Sequence, residues 1–469
     1  MDDHSTAKVD AYVYQPLHSP QHIRLMTLQP SLDPAGHLFF SFSQAHCEDV
    51  EGEYEALSYT WGEPRFEHNL YHLCNKSDER SVLLITSNLD TAIRRLRKKH
   101  SLRVIWIDAI CINQLDNEEK AVQIPLMASI YHSAKCVVAW LGPVIDDSDE
   151  EKGMKSLVRL SRRSMDNERY VDDRVKIHGR PSILDGSDLH YVICFLCLPW
   201  FTRLWVIQEV VLNVDVLLLC GTSDLTWIRL LTALNALQQH QAVWTTLISK
   251  RPLIGAIQAV AALWYRHVKL DMRIADDQHG KMPFIDLVEQ FRDFGCAEPR
   301  DRIFAIFSLS DGIVSSLDPS QNKDTDLVVM PVDYSKNVFE TYTSFTLACL
   351  RSSDNRSKIF QFLFARQWSP QSLSWSSWVL DWRRSPDKYL QKNISDTRIG
   401  YYGHWHRKKI KICIRRPPRD SFQDGCSVIN EKNITESKLS RVMEDSKTTR
   451  ALLVDGYRAI LLERYSVSD

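Results

Sequence analysis

The sequence predicts an α/β fold with a mostly parallel sheet and helices on both faces, followed by a mainly α-helical C-terminal region. Two observations lead to this prediction. Residues 102–143 pass through a strand pattern, a helix pattern and a second strand pattern, which is typical of a parallel crossover unit. After Gly221, apolar residues recur at helical spacing in several successive segments.

Strand patterns dominate the first hundred residues. Residues 23–28 and 36–43 predict two neighbouring strands, and residues 54–60 predict a third that ends at the turn Gly62-Glu63-Pro64. Residues 82–86 predict a further strand. The period then changes to that of a helix, for which Ser87 or Asn88 would be the N-cap.

The crossover unit is the clearest element of the sequence. A strand over 102–107 leads to a helix that begins at Asp116, where Glu119 three residues later resembles a capping box. Pro125 predicts a kink or a restart of that helix. Asp108 directly follows the strand and is therefore expected at the sheet edge where open parallel sheets bind ligands.

The chain is long enough for two or three domains, with 469 residues. Changes in composition predict four regions. These are an N-terminal tail over 1–11, an α/β domain over 12–222 with a polar insertion at about 144–188, a mainly helical region over 223–385, and an irregular polar region over 386–469.

Composition argues against several classes of partner. The formal net charge is −1, so neither nucleic acid nor an acidic membrane surface is expected as the main partner. The acidic start does not resemble a signal peptide, and no apolar run approaches the roughly 20 residues of a membrane span. The chain is therefore expected in the cytoplasm, with its eleven cysteines reduced.

No metal ion and no cofactor are expected. Cys194 and Cys197 form a C-x-x-C pair, but their surroundings are apolar and no second pair with metal-binding spacing follows.

The stretch "PWFTRLWVIQEVVL" over 199–212 places Glu209 among apolar residues, where losing hydration is costly for a carboxylate. One interpretation is structural: Glu209 accepts hydrogen bonds from the backbone or from a distant arginine. Arg203, six residues away, is expected to point elsewhere. The other interpretation is functional, with the carboxylate beside a cleft at the carboxyl ends of the strands.

Three blocks in sequence resemble the fungal heterokaryon incompatibility (HET) domain family. They are "YEALSYTWGEP", "LRVIWIDAICINQLDNEEKAVQIPLMASIYHSAKCVVAWLG" and "PWFTRLWVIQEV", and weaker similarity extends over about 14–384. The resemblance implies a cytosolic module that triggers growth arrest or cell death when genetically different fungal cells fuse. It also implies a protein partner or self-association.

A more distant resemblance to TIR domains implies a flavodoxin-like parallel sheet and suggests a mechanism. In TIR domains that cleave NAD, a glutamate four residues after a helical tryptophan is catalytic, and here these positions are Trp205 and Glu209. NAD would then be a substrate and not a cofactor.

The residues expected to contact NAD each have an alternative structural role. Besides Trp205, they are Asp108, which could instead cap the turn after its strand, Asn113, which could instead satisfy loop backbone, and Trp61, which could simply pack. The alternative function is a signalling module without catalysis, acting through homotypic or partner contacts.

Overall fold

The computed structural model describes most of the first 315 residues and parts of the remainder. The described residues are 10–73, 80–143, 147–168, 186–250, 253–271, 282–315, 327–356, 358–359, 379–383, 413–415, 451–454 and 457–460. The chain divides into two compact units, the first comprising Met1–Gly280 with Asp293–Cys296, and the second comprising Lys281–Arg292 with Ala297–Asp469.

A mixed ten-stranded sheet forms the centre of the first unit. Its strands are β1 (Asp10–Ala11), β2 (His22–Leu28), β3 (Leu38–His46), β4 (Glu55–Tyr59), β5 (Phe66–Leu73), β6 (Arg80–Thr86), β7 (Arg103–Trp106), β8 (Cys136–Trp140), β9 (Val216–Cys220) and β10 (Ser223–Thr226). Their spatial order is β1-β6-β5-β3-β2-β7-β4-β8-β9-β10. The prediction that these two strands are neighbours is confirmed, because β2 and β3 pair antiparallel as a hairpin.

Four neighbouring strands, β7-β4-β8-β9, run parallel and form the buried middle of the sheet. In chain order these strands lie 2-1-3-4, which is the order of a flavodoxin-like sheet. The prediction of a mostly parallel sheet is confirmed in part: β1 with β6 and β3 with β5 also pair parallel, but the sheet as a whole is mixed. Antiparallel pairs flank the parallel middle on both sides, since β2 pairs with β7 and β10 with β9. The crossover from β7 to β8 also passes over β4, which lies between them.

Helices connect and cover the strands of the first unit. They are α1 (Ser87–Leu96), α2 (Asp108–Cys111), α3 (Asn117–Ser133), α4 (Asp149–Glu168), α5 (Gly186–Leu196), α6 (Trp205–Val211), α7 (Trp227–Gln238), α8 (Gln241–Lys250) and α9 (Leu253–Asp271). A short 3-10 helix over Pro199–Thr202 precedes α6.

Two of the predicted helix starts can be compared with the caps observed. Asp116 caps α3 as predicted, because its Oδ1 accepts hydrogen bonds from the amides of Glu118 and Glu119 at 2.9 and 3.0 Å. The cap of α1 is Thr86, not Ser87 or Asn88. Helix α3 also continues past Pro125, so it does not restart there.

The polar segment predicted as an insertion at about 144–188 contains a substantial helix. Helix α4 extends over twenty residues and packs along α5, and residues 169–185 of the insertion lie outside the described residues. The two helices approach closely at Gly153, where a Cβ atom would lie 2.2 Å from the backbone oxygen of Tyr191.

Glu151 ties α4 to the turn between β9 and β10. Its side chain is 1% exposed, and its carboxylate accepts hydrogen bonds from the Asp147 amide at 3.0 Å and from the hydroxyls of Thr222 and Ser223, each at 2.8 Å. The Asp147 amide and these hydroxyls stabilise the charged form and lower the pKa of Glu151 to about 2.

This carboxylate makes the stability of the first unit depend on pH. The pKa of a glutamate in an unfolded chain is about 4.3, so the stabilisation is complete above about pH 5 and is lost as the pH falls towards 2. We expect Glu151→Gln to lower the free energy of unfolding by about 2 kcal/mol at pH 7 and by clearly less at pH 3. Urea unfolding at both pH values tests this, with the exposed Glu67→Gln as control; an equal loss at both would contradict it.

The second unit is built from short strands and helices. Its strands β11 (Met282–Pro283) and β12 (Ser310–Asp311) pair with each other, as do β13 (Ile313–Val314) and β14 (Val328–Val329). Its helices are α10 (Phe284–Gln290), α11 (Asp301–Phe304) and α12 (Val338–Arg351). Within the described part of the chain, no helix has both the length and the apolar composition needed to cross a membrane.

Three further strands lie in the region that was predicted to be irregular and polar. They are β15 (Cys413–Arg415), β16 (Ala451–Val454) and β17 (Tyr457–Ile460), and they form a small antiparallel sheet. The other residues of 386–469 lie outside the described residues.

Candidate functional site

The candidate site lies at the carboxyl ends of β4 and β7, next to the point where the strand order reverses between β4 and β8. Crevices at such switch points are the usual ligand sites of open parallel sheets. Strand β4 contributes Ser58, and the loop after it contributes Trp61. Asp108 is the first residue of α2, directly after β7, and Glu209 lies on α6.

Glu209 is enclosed by protein. Its side chain is 1% exposed, and its Oε2 accepts a short hydrogen bond from the Ser58 hydroxyl. The same oxygen lies 3.5 Å from Nη1 of Arg203. Ser58 is itself held by the indole of Trp200, which donates to its Oγ at 2.8 Å. The carboxylate is therefore closed off from bulk water in this conformation.

The ion pair with Arg203 corrects the expectation that this arginine points elsewhere. The expectation assumed one continuous helix through 199–212. Instead, the 3-10 helix ends at Thr202, and Arg203 has an extended backbone with φ −78° and ψ 133° before α6 begins at Trp205. Its side chain is therefore not positioned by the period of α6 and reaches Glu209.

Asp108 is linked to the loop after β4. Its Oδ2 accepts a hydrogen bond from the indole of Trp61 at 3.0 Å, and its Oδ1 accepts one from the amide of Ala109 at 2.7 Å. The loop turns at Gly62, whose φ of +76° is a left-handed conformation that glycine adopts without strain. The contact with Ala109 joins Asp108 to the next residue only, and α2 has no side-chain cap hydrogen bond.

Two acids and one arginine interact at this site. Burial raises the pKa of Glu209, while the positive charge of Arg203 and the Ser58 hydrogen bond act against that rise and the negative charge of Asp108 adds to it. Burial likewise raises the pKa of Asp108, opposed by Arg203 and by the hydrogen bond from Trp61. Arg203 thus compensates both carboxylates, and we call Asp108, Arg203 and Glu209 the charge cluster.

Two polar atoms, one in the charge cluster and one in the loop after β4, have no hydrogen-bond partner among the described residues. They are Nη1 of Arg203, whose 3.5 Å contact to Glu209 is an ion pair without hydrogen-bond geometry, and Oγ1 of Thr60, in the loop after β4. Buried polar atoms in native proteins usually have a partner, so these two could hydrogen-bond a ligand.

The three other predicted residues differ in their exposure and contacts. Trp61 is 40% exposed and linked to Asp108, so its ring surface is accessible beside the charge cluster. Trp205 is half-buried at the start of α6. Asn113 lies in the turn before α3, where its Oδ1 accepts the amide of Leu115 at 3.2 Å, which is the backbone role given above as the alternative.

Sequence reasoning missed Ser58, Trp200 and Arg203. A serine inside a strand and a tryptophan in an apolar run carry no distinctive signal. Arg203 did carry one, because it is the only basic residue in the stretch 199–212 that encloses Glu209. A buried carboxylate needs a nearby cation, and Arg203 is the only residue of that stretch that can supply one.

Comparison with known proteins gives one family and one relative. Residues 54–209 match the family model described as heterokaryon incompatibility protein (HET). Heterokaryon incompatibility protein 6, OR allele, from Neurospora crassa is 35% identical to this chain over 226 residues. The match covers 43% of this chain and 33% of the relative. This chain therefore spans about one third of the relative's length. No solved structure matches the chain.

Proposed function

We propose that this chain, whose residues 54–209 match the HET family model, acts in fungal self/non-self recognition and triggers heterokaryon incompatibility or programmed cell death. The observation that carries the proposal is the match of residues 54–209 to the HET family, supported by the similarity to heterokaryon incompatibility protein 6. Such a trigger requires a signal from a second molecule. A protein partner, or another copy of this chain, is therefore part of the proposal.

One mechanism for the trigger is NAD cleavage by a TIR-like site in the cytoplasm, with Glu209 as the catalytic residue. The bond between nicotinamide and ribose C1′ breaks, nicotinamide leaves with the bonding electrons, and water adds to the ribose carbon and loses a proton. Glu209 would stabilise the positive charge that develops on the ribose. Three features support this mechanism: the 2-1-3-4 strand order, the position of Glu209 at the switch point, and the Arg203 and Thr60 atoms that lack a hydrogen-bond partner among the described residues.

In that mechanism the neighbouring side chains bind and orient the substrate. Trp61 would stack on a base or on the nicotinamide ring, with Trp205 and Asp108 beside it. Asn113 would have to exchange its contact with Leu115 for one with a ribose or amide group. Arg203 would have to move away from Glu209, since the carboxylate is closed off while the two are paired.

The second mechanism is a signalling module without catalysis, and a specific observation supports it. Glu209 is 1% exposed, hydrogen-bonded to Ser58 and paired with Arg203, which are the features of a charge that holds elements together. In this case Glu209 fastens α6 to β4, and the signal passes through contacts with a partner or another copy of the chain.

Replacing Glu209 with glutamine separates the two mechanisms. Glutamine has nearly the same size as glutamate but carries no charge. Burial disfavours the charged form of Glu209, so the uncharged variant is expected to fold. If Glu209 is catalytic, the full-length chain expressed in a filamentous fungus should lower cellular NAD and viability. Glu209→Gln should then reduce nicotinamide release by the purified protein at least about 100-fold.

Glu151→Gln is the matched control. It also removes the charge of a glutamate that is 1% exposed, but its contacts lie at the β9–β10 turn and not in the charge cluster. NAD loss with the unaltered chain and the control, but not with Glu209→Gln, supports catalysis. Cell death at unchanged NAD, or death that persists with Glu209→Gln, supports the non-catalytic module. An unaltered chain that never causes incompatibility would overturn the wider proposal.

A further inference from the structure

Three side chains with different metal-binding atoms meet where α4 begins and α5 passes. Nε2 of His190 lies 3.2 Å from Oδ2 of Asp149 and 3.6 Å from Sγ of Cys194. One ligand atom from each of these residues lies within 4.8 Å of the other two. We call these three residues the α4–α5 triad, and they are separate from the charge cluster.

The two separations measured from Nε2 of His190 fit a tetrahedral zinc ion, and the third, between Asp149 and Cys194, is at most 4.8 Å. Zinc binds nitrogen and oxygen at about 2.0–2.1 Å and sulfur at about 2.3 Å, in tetrahedral geometry. Tetrahedral angles then separate a nitrogen and an oxygen ligand by about 3.3 Å, and a nitrogen and a sulfur ligand by about 3.5 Å. The observed separations of 3.2 and 3.6 Å agree with both values.

The simpler alternative is an exposed Asp-His ion pair with a thiol beside it. That alternative explains only part of the arrangement, because Asp149 and Cys194 both face the same ring nitrogen. Nε2 offers either one proton or one lone pair, so it cannot donate a linear hydrogen bond to the carboxylate and to the sulfur at once. A cation would accept an electron pair from each of the three groups at once.

The close contact between α4 and α5 brings the three residues of the triad together. His190 and Cys194 are four residues apart on α5 and therefore lie on the same face of that helix. Asp149 reaches them because α4 comes very close to α5 one turn further on, at Gly153 and Tyr191. The side chains of Asp149 and His190 are 46% and 61% exposed, so an ion from solution can reach them.

We propose that Asp149, His190 and Cys194 bind a divalent metal ion of the zinc class. Oxygen, nitrogen and sulfur in one site suit Zn²⁺, whereas Mg²⁺ and Ca²⁺ prefer oxygen alone. On binding, the Cys194 thiol releases its proton to solvent and the sulfur coordinates as a thiolate. The triad fills three of four positions and leaves the fourth to water or to a ligand from outside. The ion would fasten the start of α4 to α5. This inference does not depend on the proposed function.

The C-x-x-C pair of Cys194 and Cys197 predicts no metal site from the sequence. The arrangement here uses a different spacing, H-x-x-x-C on one helix, together with a residue from the preceding helix. Cys197 is a suitable comparison for that reason. It lies three residues from Cys194, and both cysteines have an intermediate exposure and form no disulfide bond.

The test is metal binding by the full-length, reduced chain, freed of metal with a chelator. Titration with Zn²⁺ against a chromophoric chelator measures affinity and stoichiometry, and titration with Co²⁺ reveals a thiolate ligand by its near-ultraviolet charge-transfer absorption. We expect one tight Zn²⁺ per chain. Cys194→Ser and His190→Gln should each weaken binding at least about tenfold, and Cys194→Ser should abolish the thiolate absorption. Cys197→Ser should change neither.

Two results would overturn the proposal. One is the absence of tight Zn²⁺ binding by the unaltered chain. The other is binding that Cys194→Ser and His190→Gln leave unchanged, which would place the metal at other cysteines. Circular dichroism of the metal-free variants shows whether they are folded. Zn²⁺ should also raise the melting temperature of the unaltered chain and of Cys197→Ser, but not of Cys194→Ser.

Discussion

Replacing Arg24 with methionine is expected to lower the free energy of unfolding by about 3–5 kcal/mol. Arg24 is 1% exposed on β2, and its guanidinium donates to both carboxylate oxygens of Glu119. It also donates to the backbone oxygens of Cys111, at 3.1 Å, and Gln15, at 2.6 Å. Methionine would leave the Glu119 charge, which is only 10% exposed, without its partner.

Urea unfolding at pH 7 measures this loss, and Arg65→Met is the matched control. Arg65 also pairs with a glutamate, Glu63, at 3.1 Å, but the two side chains are 73% and 76% exposed. Exposed pairs contribute about 0–1 kcal/mol, so the control should unfold nearly as the unaltered chain does. Equal losses for the two variants would show that burial does not determine the contribution of the Arg24 pair.

Replacing Gly153 with alanine is expected to cost about 3 kcal/mol, at the upper end of what overpacking costs. The added Cβ would lie 2.2 Å from the backbone oxygen of Tyr191 and 2.8 Å from Cβ of Phe195. Backbone atoms cannot rotate aside as a flexible side chain can, so α4 and α5 would have to separate. The same separation would move Asp149 away from His190 and weaken Zn²⁺ binding by the triad.

Gly255→Ala is the control for this substitution. Gly255 also lies in a helix, α9, but nothing comes within 4 Å of an added Cβ there. Alanine favours helix over glycine by about 1 kcal/mol, so Gly255→Ala should slightly raise the free energy of unfolding. The urea midpoints of the two variants should therefore shift in opposite directions from that of the unaltered chain. A loss at Gly255, or no change at Gly153, would contradict the close approach of α4 and α5.

The sequence predicted the individual strands of the parallel middle well, because apolar runs such as "VIWI" and "VLLLC" are distinctive. It did not predict β5, "FEHNLYHL", in which only Leu70 is fully buried and the apolar pattern is weak. The order of the strands in the sheet could not be predicted from the sequence either. Pairing of β4 with both β7 and β8 depends on contacts between distant parts of the chain, and local patterns do not record them.

The candidate site could be predicted only in part. Glu209 and Asp108 were identifiable because a carboxylate in an apolar run, or at the end of a strand, is unusual. The position of Arg203 was predicted wrongly, because a 3-10 helix replaced a regular helix and changed the direction of its side chain. The α4–α5 triad was missed because it joins two helices, and the closeness of those helices rests on a single glycine.

The strand order also affects how the chain folds during synthesis. Strand β4 leaves the ribosome about fifty residues before β7 and about eighty before β8, yet these are its two neighbours in the sheet. Its largely buried residues have no native partner strand throughout that interval, whereas the β2–β3 hairpin can close at once. The nascent chain therefore exposes an unpaired, aggregation-prone strand, and chaperones shield segments of this kind.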